Sequence, residues 1–104
     1  MSARPVETFH NPSGFPAESR CLDGHFPGNP IVPGAVILAY LAARLDATGR
    51  AVGRVERMKF QRSLLPGVPF EVRLAPGATA DRAEFRDDKG VFATARVVLR
   101  DGNG

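Results

Sequence analysis

Residues 35–45, A-V-I-L-A-Y-L-A-A-R-L, carry a single charge in eleven positions and contain no helix breaker. They read as a helix, Ala35–Leu45, built from good-to-fair helix formers. A helix without a polar face has to be covered on most of its sides. Ala47-Thr48-Gly49 ends it, with Gly49 placed as the residue that turns the chain away. Downstream the pattern changes to period 2. Arg54–Arg62 is a strand of mixed pattern with Met58 and Phe60 on one face. Phe70, Val72 and Leu74 alternate with polar neighbours, Ala83 and Phe85 do so within Asp81–Arg86, and Val91, Ala93, Ala95, Val97 and Leu99 form one long apolar face. Pro66-Gly67, Pro76-Gly77 and Asp88-Lys89-Gly90 mark the turns between them. One apolar helix followed by an antiparallel meander, apolar on one face, predicts the α+β class: a sheet curling round the helix.

Before the helix the chain is more broken. Residues 1–15 read as an irregular N-terminal segment with a short strand at Val6–Phe9; Glu18–Leu22 reads as a brief strand before an Asp23-Gly24 turn; residues 101–104, D-G-N-G, read as a frayed tail. The 104 residues suit a single domain, 1–104, of a size that a partner subunit would help to stabilise. No apolar run approaches the roughly 18 residues that span a bilayer, and the first residues lack the apolar core of a signal peptide, so the expected location is cytoplasmic. Cys21 is the only cysteine, which excludes an internal disulfide and a cysteine-based metal cluster. It reads as a small buried hydrophobe. His10, His25 and Asp23 have poor ligand spacing, so no metal is expected. A net charge of +3 is too mild for a nucleic-acid binder. Arg54, Arg57, Lys59 and Arg62 read as a solvated strand face, or as a surface that would greet an acidic partner.

The chemistry concentrates in residues 25–34, H-F-P-G-N-P-I-V-P-G. Pro27, Pro30 and Pro33 fix φ and hold their preceding residues extended. Gly28 and Gly34 allow close approach to the backbone. Gly34 opens the helix, where N–H groups have no intrahelical acceptor and the dipole is positive. A stiff loop therefore holds the His25 imidazole near a site suited to a carbonyl oxygen or an anion. His25 as a mere structural cap and Gly34 as a mere spacer are the plainer alternatives. Phe26 reads as packing beside the loop, and Tyr40 as a core or tunnel-lining residue.

This run resembles the hot-dog fold 3-hydroxyacyl-acyl-carrier-protein dehydratases, whose signature H-F-P-G-x-P-x-x-P-G it matches at every fixed position. The resemblance extends to R-M-K-F-Q-R-S-L-L-P-G-V-P-F, similar to the family's K-F-x-x-x-x-x-P-G-D stretch with Val68 where Asp is usual, and covers roughly residues 18–100. The short length is most similar to the dehydratase-like proteins of aryl-polyene-type pathways. The resemblance implies a hot-dog dimer with sites at the subunit junction. It implies His25 as the base and the Gly34 N–H as the clamp on the thioester carbonyl, with Phe26, Pro33 and Tyr40 bordering the substrate. It also implies an acyl chain borne on the phosphopantetheine of acyl carrier protein, and no cofactor bound by the chain itself.

A second position also departs from the family. The acid expected fourteen residues after the histidine, contributed by the partner's helix, is here Ala39, and Ala35–Ala43 contains no carboxylate. Asp46 lies about 10 Å further along the helix, and Tyr40 points about 100° away round it. Three readings stay open: a homodimeric dehydratase using water or Tyr40 as donor, a heterodimer whose partner supplies the acid, or a hot-dog protein with lost or changed chemistry. The last would be an acyl-binding subunit or a thioesterase.

Overall fold

The computed structural model describes residues 4–15 and 32–101. The expected strand at Glu18–Leu22 falls outside them. Among the described residues five strands form one antiparallel sheet: β1 (Glu7–Asn11), β2 (Arg50–Phe60), β3 (Phe70–Ala75), β4 (Asp81–Asp87) and β5 (Gly90–Asp101), in the spatial order β1-β3-β4-β5-β2. The helix α1, Gly34–Asp46, packs on one face of it. Ile37, Leu41 and Leu45, four residues apart and so on one helix face, are fully buried. They meet Val72, Leu74, Phe85, Phe92 and Val97 of the sheet. Each such side chain contributes about 1.5–3 kcal/mol through its removal from water. Among the described residues no helix is long and apolar enough to cross a membrane.

The expected helix cover is only partly supplied. Ala35, Ala39 and Ala43 lie exposed along the side of α1 away from the core. At the far end Thr48 caps Leu45 through its N–H and its hydroxyl, and Gly49 follows at φ 79°.

Four expectations about the sheet need correction. The strands after the helix are not one meander. β3, β4 and β5 are, because short turns leave each strand no choice of neighbour, but residues 61–69 carry the chain from β2 on one side of the sheet to β3. β2 also starts at Arg50, earlier than read, and its mixed pattern has a structural cause. Irregularities between Val52 and Arg54 and between Val55 and Arg57 each insert an extra residue, resetting the parity of the strand. Val52, Val55, Met58 and Phe60 thereby share the helix-facing side with Leu99, Val97, Ala95 and Ala93 opposite them. A similar irregularity opposite Phe85/Arg86 lets Phe92 and Ala93 both be buried, breaking the strict alternation read for β5. The strand in the N-terminal segment is real but shifted, Glu7–Asn11 in place of Val6–Phe9, and it pairs with β3.

The segment after β2 is tied to the β4–β5 hairpin. The Gln61 and Arg62 N–H groups both donate to the Phe92 carbonyl. The Arg62 guanidinium donates to both carboxylate oxygens of Asp87, and at 3.1 Å to the Gly90 carbonyl. These bonds from Arg62, more than opposing desolvation, hold the Asp87 carboxyl below the usual carboxylate range, with help from the Lys89 N–H. A depressed folded-state pKa stabilises above the unfolded value near 4, and that stabilisation is lost as pH falls through the folded value. Asp87→Asn is therefore expected to lower Tm at neutral pH, with parent and variant curves converging as pH falls through the folded value. Thermal melts followed by circular dichroism across pH 2–7 check it; a gap that persists undiminished at the acid end contradicts it.

Candidate active site

Pro33 stands at the N-cap in extended geometry (φ −64°, ψ 149°) with no side-chain cap. The Val36 and Ile37 N–H groups both turn back to the Pro33 carbonyl, at 3.1 and 3.3 Å. The N–H groups of Gly34 and Ala35 come before these bonds and have no backbone acceptor among the described residues. The first turn holds no acidic side chain to compete for them. This is the positive end of a thirteen-residue helix, with donors available to an oxygen. Gly34 has a packing reason as well. A Cβ there would lie 3.2 Å from the Phe60 ring, so strand β2 crosses close to the helix start.

His25 and Phe26 lie outside the described residues, but both ends of their segment are defined. The Val32 N–H donates to the Leu64 carbonyl at 2.9 Å, and the Gly67 N–H donates to the Phe15 carbonyl at 2.7 Å. One loop, residues 64–67, thus pins the chain immediately before and after residues 16–31. Val32 and Leu64 are both buried, so these anchors sit against the core. Gly14 seats the entry side: at φ 66° it lies against the Val68 and Gly67 backbone. The family-like S-L-L-P-G-V stretch therefore fixes Phe15 and Val32, the residues that flank the histidine-bearing segment in sequence. The role of residues 64–67 was not read from sequence, although the glycine in N-P-S-G-F-P was a usable signal for Gly14.

Gly14→Ala tests this anchor. The added Cβ would meet the Val68 carbonyl oxygen at 2.5 Å and the Val68 nitrogen at 2.7 Å, backbone atoms that cannot rotate away. With the left-handed φ added, a loss of about 2–4 kcal/mol is expected, or roughly 10–25 °C in Tm for a domain this size. A melt within a few degrees of the parent would show that the entry segment is not held there.

Tyr40 lies with Phe15 and Phe70, ring centroids 6.1 and 5.1 Å away, at the edge of the core. Its hydroxyl donates to the His10 carbonyl at 3.0 Å and accepts from the Arg44 guanidinium at 2.9 Å. Arg44 covers the Phe9 and Tyr40 rings. The hydroxyl is thus occupied in fastening β1 to α1. Ala39, by contrast, is exposed, about 100° round the helix from Tyr40. Asp46 is exposed at the other end of the helix. Among the described residues there is no cluster of metal-ligating side chains.

Residues 7–96 match the sequence profile of the ApeI-like family, described as ApeI dehydratase. The chain is 34% identical over 86 residues to the 3-hydroxyacyl-[acyl-carrier-protein] dehydratase FabZ of Lactococcus lactis subsp. lactis, covering 67% of this chain and 57% of that one. It is 39% identical over 87 residues to FabZ of Acetivibrio thermocellus, covering 74% and 53%. It thus spans about half the length of the curated relatives it matches. Among solved structures, an uncharacterized protein from Erwinia carotovora subsp. atroseptica aligns with a TM-score of 0.74 at 18% identity, over 100% of this chain and 91% of that one. The dehydratase heterocomplex ApeI:P from Xenorhabdus doucetiae aligns at 0.69 and 17% identity, over 95% and 98%. At such identities the structural likeness speaks for the fold. With the antiparallel sheet round one helix and the family profile in agreement, the chain is a hot-dog fold protein and belongs to the ApeI-like dehydratase family.

Proposed function

We propose that this chain is a 3-hydroxyacyl-acyl-carrier-protein dehydratase whose active site is completed by a second hot-dog chain. The observation that carries the proposal is the complete H-F-P-G-N-P-I-V-P-G run ending at a helix start whose first N–H donors have no backbone acceptor among the described residues. In the reaction His25 takes a proton from the carbon next to the thioester carbonyl. The electron pair moves toward that carbonyl oxygen, where the Gly34 N–H and the helix dipole stabilise the developing negative charge. The C–O bond at carbon 3 then breaks, and the hydroxyl leaves as water once an acid protonates it. Base, clamp and acid suffice for this elimination, so no cofactor enters the proposal. Family membership supports the substrate class; the FabZ relatives are named for thioesters on acyl carrier protein.

The acid is what the chain lacks, and its surface suits a partner that brings one. Ala35, Ala39 and Ala43 leave one side of α1 open to close approach. Beside it, edge strand β2 shows Val55 and Phe60 on the helix-facing side, 37% and 39% exposed. A second hot-dog chain laid along this helix and edge would cover both and set its own residue opposite His25. The solved ApeI:P heterocomplex supports a pairing of two different chains. The missing carboxylate also favours a second reading, a subunit that binds acyl chains without turning them over.

Reconstitution separates the two. The purified chain is incubated with a 3-hydroxyacyl carrier-protein thioester, alone and with a hot-dog partner bearing the helix carboxylate, and enoyl product is followed by mass. Turnover that depends on adding the partner is expected. Product from neither mixture would favour the acyl-binding subunit, and release of free acid from a simple acyl thioester would indicate a thioesterase.

A further inference from the structure

The outer face of the sheet, opposite the helix, carries a built cluster of cations. Strand register places Arg57 of β2 opposite Arg96 of β5, and Arg96 opposite Arg82 of β4, so three arginines stand side by side on adjacent strands. Lys59 stands in the next row, opposite Thr94. Like charges directly across strands destabilise a sheet, so the row is costly unless anions offset it. The carboxylates of this face do so incompletely. Glu56 bonds Arg96 at 3.0 Å and Arg54 at 2.8 Å, and Glu84 bonds Arg82 at 3.3 Å. Arg57 and Lys59 have no ion-pair partner among the described residues. Asp81 borders the same area, but its carboxylate is held by Arg4 at 2.5 Å. Independently, the surface is concave here: a depression of about 450 Å³ is lined by Arg57, Lys59, Gln61, Arg82, Thr94 and Arg96.

From this juxtaposition we infer that the outer sheet face between β2 and β4 is a binding site for a compact polyanion of the diphosphate class. Three adjacent strands span about 10 Å, more than one phosphate can bridge and within reach of two linked phosphoryl groups. Guanidinium groups favour such oxygens because they donate in pairs with fixed geometry. A long polyanion fits less well. The chain's net charge is only +3, and Glu56 and Glu84 sit within the cluster itself, so the positive field is local. The depression lies on the side of the sheet away from the start of α1, so it is separate from the Gly34 N–H.

Calorimetric titration of the full chain with pyrophosphate and, separately, with ADP at constant ionic strength tests the inference with no thioester present. The result therefore stands or falls apart from the dehydratase reading. Saturable binding at one site per chain is expected, weakened about tenfold or more by Arg57→Gln and by Lys59→Gln. Glu56→Gln is expected to tighten it by freeing Arg96 and Arg54. Tighter binding of ADP would assign the site to a nucleotide, and equal affinities to free diphosphate; both support the shared chemistry. Unchanged affinity in both weakening variants overturns it, with circular dichroism melts confirming their fold. So does equal displacement by sulfate and chloride at matched ionic strength, or binding of polyglutamate in place of either diphosphate.

Discussion

His25→Ala is expected to cut dehydration by the partner-completed enzyme by a factor of about 10²–10⁴, the usual worth of a positioned general base. The loss should fall on the chemical step. A base that acts only as the proton leaves contributes little to holding the ground-state thioester, so kcat should drop far more than KM changes. Gly34 provides the comparison. Its N–H belongs to the backbone and survives Gly34→Ala, while the new Cβ pushes on the Phe60 ring at 3.2 Å. That variant should alter packing between α1 and β2 without deleting the donor, giving a much smaller rate loss than His25→Ala. The measurement is single-turnover conversion of a 3-hydroxyacyl carrier-protein thioester to its enoyl product. Parental rates in the histidine variant would mean that another group removes the proton, and the assignment built on the H-F-P-G run would fail.

The parts of this molecule that sequence discloses are those written in local periodicity. Ala35–Leu45 reads as a helix from its composition, and Val72, Leu74, Ala83 and Phe85 alternate because each has a polar neighbour facing solvent. Where the pattern failed, a bulge was the cause. The inward residues of β2 fall at 52, 55, 58 and 60, a spacing that is neither strand nor helix until Gly53 and Glu56 are recognised as inserted. Strand order was illegible for a different reason. Short turns dictate adjacency, whereas the connection from Phe60 to Phe70 leaves the pairing of β2 to be decided by packing. The motif was the clearest part of the candidate site because its restraints lie within ten residues. Its anchors were not, since the bonds from Leu64 and Gly67 to Val32 and Phe15 join segments more than thirty residues apart. The outer row of Arg57, Arg96 and Arg82 is likewise invisible until register sets them side by side.

Ala39→Glu is expected to produce the largest gain. If the side of α1 bearing Ala39 faces a partner's His25, a glutamate there would restore the acid, and the chain alone should dehydrate up to about 10²–10⁴ faster than the parent. The substitution asks little of the fold: residue 39 is exposed, glutamate is a good helix former, and its helical neighbours Ala35, Ala42 and Ala43 are small and uncharged. Ala39→Gln separates chemistry from shape, since the amide fills the same space without a proton to give. Only Glu should accelerate the reaction, and its advantage should fade at high pH as the carboxyl loses its proton. In the two-chain complex the same change would equip the second site, which pairs the partner's histidine with residue 39 of this chain. A gain in neither setting, with native mass confirming the dimer, would show that residue 39 does not face the reacting hydroxyl. The helix side bearing Ala35, Ala39 and Ala43 would then have to be assigned to packing alone.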